Sequence, residues 1–222
     1  PQGVPEPPEL AGADYEWFMA NRFEKGCHPN VVLINAIDEQ HFRSVHRLPG
    51  ESLRMEPRVQ SEANIDFRNT GSVPARRWFG RLIGRFYAGP LTYALSYWYG
   101  SMGFVSFGPD FLHLHLMFAL RRGDDGRTIG QAVTFTQRRG GAFGWLFNRF
   151  LLRITALAAR YFALGDTRVF NTIRFRLANP IAADRAVLAF IEHLEQQPRA
   201  DWNEPMPAPT DPRRLRVAVR GE

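Results

Sequence analysis

The chain has 222 residues, 45% of them hydrophobic, and this length is sufficient to bury one sizeable core. The formal net charge is +6, but the arginine pairs are scattered and form no single basic stripe, which argues against a nucleic-acid-binding protein. The single cysteine excludes a disulfide scaffold. Because no apolar run reaches the ~18 residues of a spanning helix and no secretory signal opens the sequence, we expect a cytoplasmic protein.

The first twelve residues, PQGVPEPPELAG, have the proline-rich composition of a linker. The remainder has the length of one domain of mixed structure. We therefore predict a linker over residues 1–12, one domain over 13–200 and a C-terminal tail over 201–222.

Residues 31–46 are predicted to form a helix that enters the core, because apolar side chains recur on one face and Pro29 stands just before them. Asp38 and His41 are three residues apart and share a face. His41 and His46 are five residues apart, which separates them by about 140° on an ideal helix. Both histidines can reach one ion only if the helix is distorted or broken between them, and such distortions often mark functional sites.

Two imidazoles and one carboxylate oxygen from elsewhere in the fold would make the 2-His-1-carboxylate set of non-haem Fe(II), which leaves coordination positions open for dioxygen. The spacing of His41 and His46 alone is equally compatible with a surface helix that carries two solvated histidines.

The middle of the chain predicts an antiparallel sheet. Segments rich in aromatic and β-branched residues, several of them alternating, predict strands in five regions: 51–69, 92–107, 111–119, 128–137 and 168–177. Gly123-Asp-Asp-Gly126 predicts a hairpin between the third and fourth of these regions. A long antiparallel sheet closed by a C-terminal helix belongs to the α+β class.

His113 and His115 are expected to point to one face of their strand. One interpretation is an outward polar face, because Leu112, Leu114 and Leu116 alternate with the histidines. The other interpretation places both histidines in a cavity, where they would hydrogen-bond a substrate oxygen. A metal-binding role is the less favoured one.

Two segments, 74–89 and 144–164, combine arginines with bulky apolar residues at helical spacing. Arg149, Arg153 and Arg160 cannot all be hidden, so the second segment is predicted to be amphipathic and not membrane-spanning. We favour core-facing helices with a solvated basic side. The alternative is that these helices form a lid or rest on a membrane surface to collect a lipophilic substrate.

Residues 179–197 predict the C-terminal helix, with apolar residues at helical spacing and Pro198 at the end. Asp184 lies in the first turn, a position that the helix dipole favours without any metal. His193 lies in the polar register of this helix and is predicted to be solvated.

The run Asn35-Ala-Ile-Asp38-Glu-Gln-His41-Phe-Arg-Ser-Val-His46 fits the pattern N-x-x-D-x-x-H-x4-H and resembles the mononuclear-iron helix of the Rieske non-haem iron oxygenases. The resemblance implies that His41 and His46 bind Fe(II). It also implies that Asp38 hydrogen-bonds a ligating histidine, His41, and bridges from it to the electron donor. Asn35 would lie beside the iron without binding it firmly. Many members carry Glu where this chain has Ile34. This chain therefore lacks a carboxylate that would contact a metal ligand, but it lacks no ligand.

The third ligand implied by the resemblance is a carboxylate far along the chain. The monooxygenase branch of the family has a C-terminal helix of similar appearance that begins with the iron aspartate, and Asp184 occupies that position. Asp110 and Asp166 remain the alternative carboxylates.

The family also requires a [2Fe–2S] cluster, which takes two cysteines and two histidines. Cys27 is the only cysteine, so we predict the catalytic part of a longer oxygenase whose Rieske domain lies outside these residues. The implied fold is helix-grip (START-like), an antiparallel sheet and a long C-terminal helix around an apolar cavity.

The implied reaction inserts oxygen from O2 into an apolar aromatic or polycyclic substrate, by monooxygenation or dioxygenation. Electrons would come from NAD(P)H through a reductase or ferredoxin, and the full-length protein would be a homotrimer. The alternative function is a helix-grip ligand-binding module without redox chemistry, which metal content would distinguish.

Overall fold

An antiparallel sheet dominates the computed structural model, which describes residues 9–46, 54–71, 91–108 and 110–197. The strands of these residues follow the order β1-β7-β6-β5-β4-β3-β2 across the sheet. Together with the helices, this sheet confirms the predicted α+β class. The strands are β1 Tyr15–Lys25, β2 Glu56–Ser61, β3 Asn64–Gly71, β4 Leu91–Trp98, β5 Met102–Gly108, β6 Leu114–Arg122 and β7 Thr128–Gln137.

Two helices of the described residues lie between β1 and β2 in sequence, and two follow β7. They are α1 Pro29–Asn35, α2 Glu39–Ser44, α3 Gly141–Thr172 and α4 Arg185–Glu195, with short 3-10 turns at Asp110–Leu112 and Ala182–Asp184. The helix predicted over 179–197 is confirmed as α4, but it has only 11 residues, and the longest helix of the described residues is α3 with 32 residues.

The predicted hairpin between β6 and β7 is confirmed. Arg122 pairs with Thr128, and the Gly123 backbone nitrogen donates to the Arg127 carbonyl at 2.7 Å. Gly126 has a φ of +79°, a left-handed conformation that glycine adopts without steric cost. The alternating sequence and its turn residues were therefore sufficient to predict this hairpin.

The core lies between one side of the sheet and helices α1 and α4. Phe190 of α4 is fully buried against Phe67 and Tyr97 of the sheet, with ring centroids 6.4 and 5.2 Å away. The hydroxyls of Tyr97 and Tyr93 donate to the carbonyls of Leu33 and Ala36, at 2.7 and 3.1 Å. These two bonds fix the end of α1 to the sheet.

Helix α3 crosses the other end of the sheet, against β1, β6 and β7. Its buried residues include Leu151, Leu152 and Phe170, and the Thr134 hydroxyl donates to the Leu152 carbonyl at 3.2 Å. The predicted strand at 168–177 is wrong, because α3 continues through Thr172. Short apolar runs do not separate strand from helix by periodicity, and Phe170 continues the buried face of α3.

Two further predicted features differ from the described structure or lie outside it. Strand β1 was not predicted, because Tyr15, Trp17, Phe18 and Met19 give it no clean alternation of apolar and polar residues. The predicted helix at 74–89 lies outside the described residues. Among the helices of the described part of the chain, none is long and apolar enough to cross a membrane.

Candidate metal centre

Three side chains from two distant segments of the chain converge on one point. The His41 Nε2 atom lies 3.1 Å from His46 Nε2 and 2.9 Å from Asp166 Oδ1, and His46 Nε2 lies 3.0 Å from the same oxygen. His41 and Asp166 are buried, with 6% and 8% of their surface exposed. The cluster therefore has the two nitrogens and one oxygen of a 2-His-1-carboxylate set.

The three distances are compatible with a metal ion at the centre of the triangle. Three cis ligands of an octahedral ion at about 2.1 Å lie about 3.0 Å from one another. The His41 Nε2, His46 Nε2 and Asp166 Oδ1 atoms are separated by 2.9–3.1 Å. These residues therefore fit a single ion without rearrangement.

The backbone around the histidines explains how they reach one point. Helix α1 ends at Asn35, the chain turns at residues 36–38, and α2 then runs only from Glu39 to Ser44. The second helix ends between His41 and His46, which is the interruption that their spacing requires. The turn before Asp38 was not predicted, since one helix was expected over 31–46.

Asp38 caps the start of α2. Its Oδ1 atom accepts hydrogen bonds from the backbone nitrogens of Gln40 and His41, at 2.8 and 3.2 Å. A side-chain oxygen in this position satisfies amides that have no partner within the helix. The predicted bond from Asp38 to a histidine ring is therefore corrected, because the carboxylate holds His41 through its backbone.

Asn35 lies beside the cluster. Its Nδ2 atom is 3.1 Å from His41 Nε2 and donates to Asp166 Oδ2 at 3.2 Å. The second oxygen of the carboxylate is thereby fixed while Oδ1 faces the histidines. Because Tyr93 and Tyr97 hold the end of α1, the position of Asn35 is set by the sheet.

Lys25 fixes the turn of α3 that carries Asp166. Its Nζ atom donates to the Ala163 carbonyl at 2.8 Å and to the Thr167 hydroxyl at 2.6 Å. Burial lowers the pKa of Lys25, and the nearby Asp166 carboxylate opposes that shift. The bonds join the end of β1 to α3 on both sides of Asp166.

The environment of His46 favours its neutral form. Burial lowers the pKa of His46 more than the adjacent Asp166 carboxylate raises it, and His41 lowers it further. A neutral imidazole is the form that binds metal.

The Phe162 ring packs against the His46 ring, with centroids 5.1 Å apart.

Asp184, the preferred third ligand, does not lie at the cluster. Its Oδ2 atom accepts from the Ile181 backbone nitrogen at 2.8 Å, and its Oδ1 atom accepts from Gln40 Nε2 at 3.3 Å. It is thus used to cap the turn before α4. Asp110 lies in the 3-10 turn before β6. Among the described residues, the carboxylate that lies beside both histidines is therefore Asp166, the other alternative, and not Asp184.

The sequence did contain a signal for Asp166. It is the only acidic residue between positions 141 and 172, and a lone carboxylate in an apolar helix requires a partner when buried. The wrong strand at 168–177 concealed this signal, because Asp166 then fell in a connecting loop.

The histidines expected in the substrate pocket lie elsewhere. His113 has a φ of +50° and precedes β6, so it does not share a strand face with His115. His115 is buried on Phe104 and hydrogen-bonds the Ser106 hydroxyl through Nδ1 at 2.8 Å; burial lowers its pKa to about 4. Neither histidine is among the described residues that line the cavity, so this prediction is corrected.

His193 was predicted to be solvated, which is wrong. Only 3% of its surface is exposed, and burial lowers its pKa. His193 is therefore buried on α4, although it lies outside the apolar register of this helix.

A cavity of about 830 Å³ opens beside the cluster of His41, His46 and Asp166. His46 and Asp166 form part of its wall, and β1 contributes a bulge between Met19 and Arg22. Bulges often occur next to active sites, where they redirect side chains. Most of the wall is apolar, including Val32, Phe42, Tyr93, Phe107, Phe118 and Phe170.

Comparisons with known proteins locate the fold. No family model matches this chain, and no curated protein matches its sequence. Among solved structures, dicamba monooxygenase bound to 3,6-dichlorosalicylic acid matches 87% of this chain and 62% of its own, with a TM-score of 0.54 and 14% identity. The NdmA QL mutant with theobromine, from Pseudomonas putida CBB5, matches 87% of this chain and 53% of its own, with a TM-score of 0.56 and 11% identity.

NdmB of the same strain gives a TM-score of 0.52 at 14% identity, and the match covers 87% of this chain and 53% of that chain. The chain thus spans between about half and three fifths of the length of these solved structures. At such low identity the likeness shows the fold: this chain has the architecture of the matched parts of these proteins.

The role of Asp38 as a cap can be tested by two substitutions. Asp38→Ala should lower the free energy of unfolding by about 1 kcal/mol, since it removes the oxygen that holds the first turn of α2. Asp38→Asn should stay close to the parent, because asparagine caps helices as well as aspartate. Denaturant unfolding measures both. Equal stability of the parent and Asp38→Ala would contradict the capping role.

Proposed function

We propose that this chain is the catalytic domain of an Fe(II)-dependent Rieske-type oxygenase and that His41, His46 and Asp166 hold the iron. One observation carries the proposal: two imidazole nitrogens and a carboxylate oxygen lie 2.9–3.1 Å apart at the wall of an apolar cavity. Similarity of fold to part of dicamba monooxygenase supports the same conclusion.

The donor set favours ferrous iron, since two histidines and one carboxylate on one face are typical of non-haem Fe(II) oxygenases. When bound, the ion supplies open coordination positions and the activation of O2. The protein holds the proposed ligands in fixed positions. The Asp38 cap fixes the His41 backbone. Asn35 fixes the Asp166 carboxylate, and Lys25 fixes the helical turn that carries it.

The proposed substrate is an apolar molecule with an aromatic or polycyclic skeleton. The rings of Phe42, Tyr93, Phe107 and Phe162 and other apolar groups form most of the cavity wall, which would bind such a skeleton and exclude water. At about 830 Å³ the cavity is within the size range of small-molecule sites. Dicamba monooxygenase was solved with 3,6-dichlorosalicylic acid and the NdmA mutant with theobromine, and these ring compounds support only the aromatic part of this proposal.

The proposed electron path begins outside these 222 residues. With Cys27 as its only cysteine, the chain cannot provide the cysteines of a Rieske cluster. We propose that residues 13–200 form the catalytic domain, with residues 1–12 as a linker to a cluster domain and 201–222 as a tail. An NAD(P)H-linked reductase or ferredoxin would supply the electrons, and the full-length protein would be a helix-grip homotrimer.

Asp38 is proposed to couple the donor to the site through the backbone of His41. Because Asp38→Asn keeps the cap, it separates the two roles of this carboxylate. In the full-length enzyme this variant should retain its iron and lose at least about tenfold in donor-driven turnover, the low end for residues behind metal ligands.

Hydrogen peroxide tests the proposal on this chain alone, because it supplies oxygen and two electrons together. A substrate R–H then gives R–OH and water, with no reductase. We expect Fe(II)-loaded chain and peroxide to hydroxylate members of a panel of apolar aromatic compounds, with oxygen from labelled peroxide in the product. With NAD(P)H and a reductase in place of peroxide, the chain alone should form no product.

The controls are the His41→Ala/His46→Ala double variant, which should be inactive, and Asp184→Ala, which should remain active. Binding of apolar ligands by the chain without any uptake of iron would instead support the alternative, a ligand-binding module of the same fold. Product formation by the double variant at the parent rate would contradict the proposed site.

A further inference from the structure

The outward face of α3 carries a continuous apolar stripe. Its members recur at intervals of three, four or seven residues and are between 59% and 83% exposed: Phe143, Leu146, Phe150, Leu157, Tyr161 and Leu164. At 1.5 Å per residue the stripe is about 30 Å long. Exposed apolar patches of this extent mark sites of interaction with proteins or membranes.

A row of arginines flanks the stripe. With 3.6 residues per turn, Arg149, Arg153 and Arg160 lie on one side of the apolar stripe, and all three are exposed. The guanidinium of Arg149 also stacks on the Trp145 ring at 4.8 Å. No acidic residue occurs between positions 141 and 165, and Asp166 is turned inward to His41 and His46.

We propose that α3 docks on an anionic lipid bilayer, with the apolar stripe in the interface and the arginines at the headgroups. A basic row beside an aromatic and aliphatic stripe is typical of helices that lie in the membrane plane. Long arginine side chains can keep their charge at the surface while their stems cover apolar area. Basic residues near an anionic leaflet are attracted to it.

Charge argues against a two-fold symmetric dimer of the chain as the occupant. In a two-fold symmetric contact the same patch meets itself. An antiparallel pairing of two α3 helices would place one arginine row beside the other. A parallel pairing would place it beside a flank without acidic side chains, so neither arrangement neutralises the arginines.

The proposed docking surface is continuous with the cavity. Arg160 and Leu164 are exposed on the outward side of α3 and also contribute to the cavity wall. Docking would therefore place one edge of the cavity at the bilayer surface. A lipophilic ligand dissolved in the membrane could enter from there without crossing bulk water.

Vesicle co-sedimentation tests the proposal. The chain should sediment with vesicles of phosphatidylcholine and phosphatidylglycerol and at least about tenfold less with phosphatidylcholine alone. Leu157→Glu should weaken binding to the anionic vesicles by about tenfold or more, whereas Val59→Glu, a change at a similarly exposed residue of β2, should not. Arg149→Gln/Arg153→Gln should weaken binding more than Arg121→Gln/Arg122→Gln, which removes the same charge from β6.

Insertion can be observed directly with a fluorophore. Leu157→Cys can be labelled with an environment-sensitive dye, since Cys27 is buried and burial raises its pKa to about 11. The emission should shift to the blue on addition of anionic vesicles, while dye on Val59→Cys should not respond.

Failure to sediment with any vesicle would overturn the proposal, as would equal losses in test and control variants. A concentration-dependent dimer that Leu157→Glu dissociates, without lipid binding by the parent, would instead assign the stripe to a second copy. Neither assay requires iron, so the result is independent of the proposed oxygenase activity.

Discussion

The Asp166→Ala variant should bind no Fe(II) under conditions in which the parent binds close to one ion per chain. Asp166 supplies the sole carboxylate oxygen within 3.0 Å of both histidine nitrogens among the described residues. Its removal leaves two imidazoles, which hold ferrous iron much less tightly than the full set of two histidines and one carboxylate. Anaerobic equilibrium dialysis followed by iron analysis measures the loss.

Asp184→Ala is the matched control. This substitution removes a carboxylate that caps the turn before α4 and contacts Gln40 but lies outside the cluster. It should therefore bind iron as the parent does. Loss of iron in Asp184→Ala with full retention in Asp166→Ala would reverse the assignment of the third ligand.

Phe190→Ala should lower the free energy of unfolding by about 3–5 kcal/mol, the range for large-to-small substitutions in a core. Phe190 is fully buried, and its ring joins α4 to Phe67 and Tyr97 of the sheet. The substitution removes these contacts and leaves a cavity. Denaturant unfolding of the apo chain, followed by circular dichroism, measures the change.

Phe143→Ala provides the control with the same chemical change. The Phe143 side chain is 83% exposed on α3, so its removal should change stability by no more than about 0.5 kcal/mol. A loss in Phe190→Ala as small as in Phe143→Ala would show that α4 is not packed as described.

The pairing of His41 and His46 could be predicted because both residues lie close together in the sequence. His41 and His46 lie within one short segment, and their spacing required an interruption of the helix, which occurs at Ser44. The third carboxylate could not be placed in this way, since Asp166 is 125 residues from His41. The proximity of Asp166 to the histidines depends on how α3 crosses the sheet. Until that packing is known, the sequence does not distinguish Asp166 from Asp184 as the carboxylate beside the histidines.

The sheet was predictable where alternation and turn residues agreed, as in the hairpin at Gly123–Gly126. It was not predictable at β1, whose apolar side chains point to both faces. The assignment of 168–177 as a strand failed because burial of Phe170 on α3 outweighs local β-propensity, which depends strongly on context. The same limit applies to His115 and His193, since sequence does not show which polar residues packing will bury.

Anomalous X-ray diffraction at the iron absorption edge, from crystals of the chain loaded anaerobically with Fe(II), is the most direct test of the proposed iron site. We expect one strong peak in contact with His41 Nε2, His46 Nε2 and Asp166 Oδ1. A peak at Asp184, a peak bound to only one of the two histidines, or no peak at the cluster in fully loaded crystals would contradict it.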